Sequence, residues 1–252
     1  MNFRLLTYNI LHGGKDREAL LLSVLQKAEA DVVVLQEVEQ IEIVESFAQN
    51  LNMHLFIASD IALMSRYPIV EKYSYRSFPR IRDTVLEAAV TLPSGRLLHI
   101  FGVHPIPFPG SFLEGWRNRQ LSNLRKHAAQ YTAEPCLIAG DFNSIAPMDR
   151  VMTNGAPFIM RLMYWLQRGK IYRTAISNIL KVGFTDCYRD LHPQDDGFTI
   201  PTRSPKVRLD YIFANSIMRP LLQHCAVVTD SSEVHLASDH YPVMAEFELV
   251  NG

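Results

Sequence analysis

The sequence predicts a layered α/β protein, and three observations predict it. Strand-like and helix-like periodicities alternate from end to end, no linker or repeat interrupts them, and polar residues gather where the predicted strands stop. Taking the segments in order, residues 3–10 read as a strand and 18–30 as a helix with Leu21, Leu22 and Leu25 on one face. Residues 31–36 read as a buried strand, because Val-Val-Val-Leu is continuous and β-branched, and Glu37 follows its end. A helix is predicted over 41–51 and an extended segment over 61–65. Residues 85–92 and 96–103 form a hairpin-like pair around Pro93-Ser94-Gly95, with His104 where the second strand ends. A helix over 113–131 leads to a strand at 136–139, closed by Gly140-Asp141-Phe142-Asn143. Strands at 207–213 and 241–249 complete the set.

The chain has 252 residues, 48% of them hydrophobic, with 25 Lys and Arg against 26 Asp and Glu. That composition excludes disorder, collagen and coiled coil, and the length permits a core that needs no covalent staples. With no Ser/Gly-rich joint, a single domain over 1–252 is the economical reading. Cys136, Cys187 and Cys225 are odd in number and widely spaced, which argues against a disulfide framework and for a reducing, cytoplasmic setting. The first residues lack the pattern of a secretory signal, and no apolar run is long enough to span a bilayer.

A net charge of −1 supplies no global field toward nucleic acid. Its distribution is uneven: residues 1–50 hold 4 basic and 8 acidic residues, whereas 150–181 contains Arg150, Arg161, Arg168, Lys170, Arg173 and Lys181 and no acid. Within that stretch Ile159, Leu162, Met163 and Leu166 fall on one helical face, with Arg161, Trp165 and Arg168 on another. Two uses fit: a helix packed on the domain, or a basic amphipathic insertion beside the active site. In the second case it would touch a phospholipid surface or a single nucleic-acid strand.

The residues at the strand ends are Asn9, Glu37, His104, Asp141, Asn143, Asp210, Asp239 and His240. Hydrolysis of a phosphodiester needs neutralisation of the non-bridging oxygens, a base for water and an acid for the leaving oxygen. This inventory supplies all three. The carboxylate and amide oxygens of Glu37, Asn9 and Asp239 suit Mg²⁺, a hard cation that keeps waters and substrate oxygens in its shell. His104 and His240 lie on different strands without zinc-type spacing, so proton chemistry is the better assignment. Taken singly, each residue has a plainer explanation: Asp141 as a turn cap, Asn143 as an Asx-turn residue, Glu37 as a solvated strand end, Asp239 as an N-cap. Asn9 resists one, because a buried amide in an apolar strand needs partners. Of the other histidines only His12, three residues after Asn9, stands near a motif.

In order along the chain, TYNI, LQEV, ALMSRYPI, GVHP with WRNRQ, AGDFNS, GFTDCYRDLHP, RLDYIF and SDHYPV resemble the motifs of the endonuclease/exonuclease/phosphatase superfamily. The resemblance spans about residues 2–248, and eight motifs in register are far more specific than any one. It implies a DNase I-like four-layer sandwich, two mixed β-sheets face to face with helices outside. It also implies that Asn9, Glu37 and Asp239 hold Mg²⁺, for which Mn²⁺ can substitute. Asp141 would then orient or deprotonate the attacking water, and Asn143 would hydrogen-bond the phosphate. His240, oriented by Asp210, would act as base or phosphate-stabilising imidazole, and His104 would bind phosphate or protonate the leaving group. Arg119, of an Arg–Gln pair after GVHP, is a candidate phosphate contact. Leu11 stands where abasic-site endonucleases and tyrosyl-DNA phosphodiesterases carry an acid, which argues against both, and TYNI followed closely by His12 and Gly13 is nearer to the bacterial and lipid-related members. The expected activity is that of a phosphodiesterase or nuclease. Its rivals are a sphingomyelinase-like or small phosphate-ester hydrolase and a non-catalytic binding protein on the same fold. The partner is a phosphate-ester substrate, with no obligate protein partner evident.

Overall fold

The computed structural model describes residues 1–76, 83–108, 110–155, 161–162, 165 and 168–249. Two six-stranded sheets stack face to face with helices on both outer faces. The first sheet has the order β11-β12-β1-β2-β4-β3. Its strands are β1 (Asn2–Asn9), β2 (Val32–Gln36), β3 (His54–Ala58), β4 (Ile61–Ser65), β11 (Leu222–Val227) and β12 (Val243–Glu248). The second has the order β5-β6-β7-β8-β10-β9. It comprises β5 (Ile69–Arg76), β6 (Asp83–Thr91), β7 (Leu97–Val103), β8 (Cys136–Asp141), β9 (Thr185–Asp186) and β10 (Asp210–Ala214). Seven α-helices accompany them among the described residues: α1 (Glu18–Ala28), α2 (Ile41–Leu51), α3 (Ser111–Gln120), α4 (Ser122–Ala128), α5 (Thr174–Lys181), α6 (Cys187–Leu191) and α7 (Val234–Ala237).

Alternation along each central strand divides its side chains between two cores. On β1, Phe3 and Leu5 enter the layer between the sheets, where they meet Val32 and Val34 of the first sheet and Leu86, Ile100, Leu137 and Ile212 of the second. Leu6 and Tyr8 point the other way, onto Leu21, Val24 and Leu25 of α1 and Val44 and Phe47 of α2. The second sheet covers its outer face with α3–α5 through Leu121, Leu124, Ile176 and Ile179 packed on Phe101, Ile138 and Phe213. Four layers follow, as the motif resemblance implies.

What positions the site is the pairing pattern. Each sheet has one central parallel pair, β1 with β2 and β7 with β8, and every other pairing is antiparallel. The C-terminal ends of the parallel strands deliver Asn9, Glu37, His104 and Asp141 to one edge of the sandwich. Their antiparallel neighbours deliver their starts to the same edge: Ile61 opposite Gln36, Asp210 opposite Asp141, and Val243 opposite Thr7. Gly140 is what lets β8 close on β7 there, since a Cβ at this position would sit 2.1 Å from the Val103 carbonyl oxygen.

The expected elements recur with adjusted ends. The hairpin forms between β6 and β7, turning at Gly95, whose φ is +80° and whose N–H donates to the Leu92 carbonyl. The helix expected over 113–131 is instead two, α3 and α4, kinked at Leu121, whose φ and ψ are −82° and 5°. The kink serves both ends: Arg117 and Gln120 reach the loop after His104 while Leu121 and Leu124 stay in the core. The strand expected from Val207 begins at Asp210, because Val207 pairs only with Ile200 and Arg208 turns inward into an ion-pair network. Of the face expected on 150–181, Ile159, Met163 and Leu166 lie outside the described residues. All three cysteines are free and buried. Among the described residues no helix is long and apolar enough to cross a membrane.

Candidate active site

Asn9 ends β1 fully buried, and its amide has the partners that burial demands. Nδ2 donates to Glu37 Oε1 at 3.0 Å and to Asp141 Oδ2 at 3.1 Å, so this one side chain ties the two sheets together at the site. Its Oδ1 accepts the Leu11 N–H at 3.0 Å. Glu37 leaves β2 with a φ of +60°, an unusual conformation for this residue that turns its carboxylate toward Asn9 and the His12 N–H, 2.8 Å from Oε2. Burial works against its charge, but the His12 N–H, the Asn9 amide and the nearby His104 and His240 outweigh it and hold the carboxyl below its ordinary range.

Asp141 is the centre. Its Oδ1 accepts the Asn143 N–H at 2.8 Å, and Asn143, itself at φ +49°, bonds both Asp141 Oδ2 and the Pro105 carbonyl through Nδ2. His104 Nε2 lies 3.9 Å from Asp141 Oδ2 and His240 Nε2 lies 3.8 Å from the same oxygen. Each imidazole is oriented from behind by a carboxylate on Nδ1: Asp60 at 2.7 Å for His104, Asp210 at 2.8 Å for His240. Burial would lower the His240 imidazole, yet Asp210, then Asp141 and Asp239, lift it to about 10. Burial and the facing Asp210 raise the Asp141 carboxyl, with the two imidazoles opposing them. Both groups thus hold a proton more firmly than usual, and the charged imidazole of His240 stands 3.8 Å from the carboxylate that faces it.

Asp239 stands beside this cluster. Its carbonyl accepts the Thr202 N–H, its charge contributes to the shift at His240, and its Oδ1 is buried without a hydrogen-bond partner, as is Asp210 Oδ1. The unpartnered buried carboxylate oxygens of Asp210 and Asp239 and the carboxylate of Glu37 are hard donors of the kind a Mg²⁺-type cation takes, so the chemistry of the residues present fits such an ion. Two clusters have metal-ligand spacing among the described residues, Asp141 with Asp210 and His240, and the more exposed His12 with Glu37 and Glu39.

The profile of the Endonuclease/Exonuclease/phosphatase family matches residues 6–240. The chain belongs to this family. It is a hydrolase acting on phosphoric-ester bonds. Among curated relatives, exodeoxyribonuclease III of Haemophilus influenzae is 24% identical over 281 residues, covering 97% of this chain and 100% of that one. Among solved structures, the 3′ phosphatase NExo from Neisseria, bound to a product DNA hairpin, superposes with a TM-score of 0.79 at 21% identity, covering 98% of this chain and 100% of that one. An AP endonuclease from Archaeoglobus fulgidus gives 0.77 at 19%, with the same coverage. These structures share the DNase I-like fold.

Seven of the residues expected from the sequence therefore meet through direct contacts: Asn9, Glu37, His104, Asp141, Asn143, Asp210 and His240. Arg119 lies on the exposed side of α3, and the neighbouring Arg117 is the buried member of that motif. Three residues escaped the sequence reading. Asp60 backs His104; the signal was an acid just before the strand at 61–65, but only the antiparallel β2–β4 pairing puts that end beside Glu37. Ser238 links the last motif to the first by donating to the Asn9 carbonyl at 2.7 Å. The buried Glu114 accepts from Ser144, Thr174 and the Ala175 N–H as well as from Arg117.

Proposed function

We propose that this family member is a Mg²⁺-dependent phosphodiesterase of the nuclease type, hydrolysing its substrate by in-line attack of water. The observation that carries the reading is Asp141 held between two imidazoles, each backed by its own acid. Asn9, Glu37 and Asp239 would hold Mg²⁺ or Mn²⁺, which when bound neutralises charge on the phosphate oxygens. Asp141, fixed by Asn143 and Asn9, orients and deprotonates the water. His240, kept cationic by Asp210, stabilises the phosphorane-like charge, and Asn143 donates to a phosphate oxygen. His104 binds phosphate or returns a proton to the leaving oxygen, with Asp60 fixing which ring nitrogen faces it. Arg119 is the candidate outer phosphate contact. The relatives named exodeoxyribonuclease III, AP endonuclease and 3′ phosphatase support a nucleic-acid substrate over a lipid. Three buried free thiols fit a cytoplasmic setting.

The second reading, a phospholipid or small phosphate-ester hydrolase, draws on the net charge of −1, which gives no long-range pull toward a polyanion. A non-catalytic binding protein is disfavoured because every acid–base group is retained. Mg²⁺-dependent turnover of a panel decides among them: plasmid and single-stranded DNA, RNA, sphingomyelin and phosphatidylinositol vesicles, and small phosphate esters, with Asp141→Ala as the contamination control. Variant-sensitive cleavage of nucleic acid is the expected result. Cleavage of lipid or small esters alone would overturn the nuclease reading and leave the same residues in place.

A further inference from the structure

Helix α3 is inside out. Its inward row is charged and polar, with Glu114, Arg117 and Gln120 at 1%, 3% and 5% exposure, while Phe112 on the opposite side is 66% exposed. Positions 112, 116 and 119 share one face of a helix at i, i+4 and i+7. That face therefore presents Phe112, the half-buried Trp116 and the exposed Arg119. The two rings already pack together, centroids 4.6 Å apart and tilted by 50°.

The inward row explains the orientation. Arg117 Nη1 donates to the carbonyls of Phe108 at 2.6 Å and Ile106 at 3.2 Å, and Gln120 Oε1 accepts the Ile106 N–H at 2.8 Å. Glu114 accepts from Ser144 in the loop after Asn143 and from Thr174 and the Ala175 N–H at the start of α5. One helix face is thus consumed in fixing the two loops that leave His104 and Asn143. The aromatic face is consequently turned outward beside them. Phe108, 67% exposed, lies four residues after His104, at most about 14 Å along the chain.

A cationic stretch reaches α3 through α5. The stretch 150–181, which runs past Arg173 into α5 against α3, contains six cations and no acid. Its exposed residues include Arg161, Trp165, Arg168 and Lys170. Exposed rings interleaved with cations beside a phosphoesterase centre match an unpaired polynucleotide strand, whose bases stack on rings while its phosphates meet the cations. Among the described residues of 105–120 the exposed large apolar ones are both rings, Phe108 and Phe112, which suits bases better than acyl chains.

We propose that Phe112 and Trp116, with Phe108 and Arg119, form a stacking platform for unpaired bases of the strand whose scissile phosphate lies at Asp141. This rests on the nuclease reading above and names the substrate form that reading would favour.

The test uses the full chain. In the Phe112→Ala/Trp116→Ala variant, KM for a single-stranded oligodeoxynucleotide should rise about tenfold or more with kcat retained, and bis(p-nitrophenyl) phosphate, which offers no bases, should be turned over as by wild type. Trp116→Phe should restore KM. The sequence has two tryptophans, so Trp165→Phe leaves Trp116 as the sole reporter. Its fluorescence should be quenched by oligothymidylate and not by an abasic oligomer of equal charge. Unchanged KM and no quenching, with DNA still cleaved, would overturn the platform and leave the nuclease reading standing. A Trp116 response to anionic phospholipid vesicles and none to DNA would overturn it in favour of a lipid surface. Absence of any nucleic-acid cleavage by wild type would remove the nuclease reading and the platform together.

Discussion

Two clusters of buried charge flank β10, and they are built on opposite principles. Around Arg208, 1% exposed, the charges close: Nε and Nη2 bond Asp149, Nη1 and Nη2 bond Asp186, and Arg189 adds a second cation on Asp149. Tyr211 donates to Asp149, and the guanidinium packs over the Tyr188 and Tyr211 rings. Two cations meet two carboxylates, and all four carboxylate oxygens have donors. Two residues further along the chain, around Asp210 and Asp141, the charges do not close. Asp141, Asp210, Asp239, Asp60 and Glu37 gather around the imidazoles of His104 and His240, with the exposed His12 ring 4.0 Å from Glu37, and among the described residues Asp210 Oδ1 and Asp239 Oδ1 have no hydrogen-bond donor. Balanced buried charge fixes a loop in place; in the function proposed above, a cation completes the unbalanced set.

The largest expected effect breaks the balanced cluster. Arg208→Ala leaves Asp149 and Asp186 buried without their main partner and should cost about 3–5 kcal/mol in urea unfolding. A loss no larger than that of a surface substitution would show the network to be ornamental. Next, Asp141→Ala and His240→Ala should each lower turnover by about 10²-fold or more, in the range of general acid–base groups, while melting far closer to wild type than Arg208→Ala. Wild-type rates in either variant would remove that residue from the chemistry.

A smaller effect sharpens the contrast at the unbalanced site. Changes to groups that merely support metal ligands cost ~10–100-fold in affinity, so Glu37→Gln should shift the Mg²⁺ titration of activity upward by at least about tenfold. An unchanged titration would move the cation elsewhere. The smallest effect is expected at the surface, where Lys27 of α1 and Glu233 beside α7 pair at 2.6 Å. The hydrogen bond from Lys27 brings the Glu233 carboxyl down to about 2. A depressed acid contributes stability above its ordinary value near 4.5 and loses it as pH falls toward 2. Lys27→Gln should therefore melt slightly below wild type at neutral pH, with the gap closing between pH 4.5 and 2 and shrinking in salt.

The same contrast explains what the sequence makes legible. The unbalanced site is readable because each member sits at a strand end beside an apolar run, as Asn9 does in TYNI and Asp141 in GDFN. The balanced network is not: Asp186, Arg189 and Arg208 stand inside the GFTDCYRDLHP and RLDYIF motifs, but nothing in their linear spacing shows that they meet one another and Asp149. Asp60 shows the same limit from the other side: its carboxylate reaches His104 only through the order of strands across two sheets, which linear spacing does not encode. Strands β3, β5, β9 and β11 are not anticipated, and all four lie at sheet edges, where half-exposed residues or, for the two-residue β9, sheer brevity blur the alternation. The kink at Leu121 was hidden as well, since the apolar spacing of 113–131 runs on across it while the demand for Arg117 on the 106–108 loop is tertiary.

The central claim is that the unbalanced carboxylates are a cation site, and the melting temperature of metal-free protein on adding Mg²⁺ tests it most directly. A ligand that binds only the folded state stabilises it by about 2.7 kcal/mol at a hundredfold excess over its Kd. Wild type should therefore melt higher in Mg²⁺, and the Glu37→Gln/Asp239→Asn double variant should not respond. A wild type that does not respond, or an equal rise in both proteins, would contradict the account.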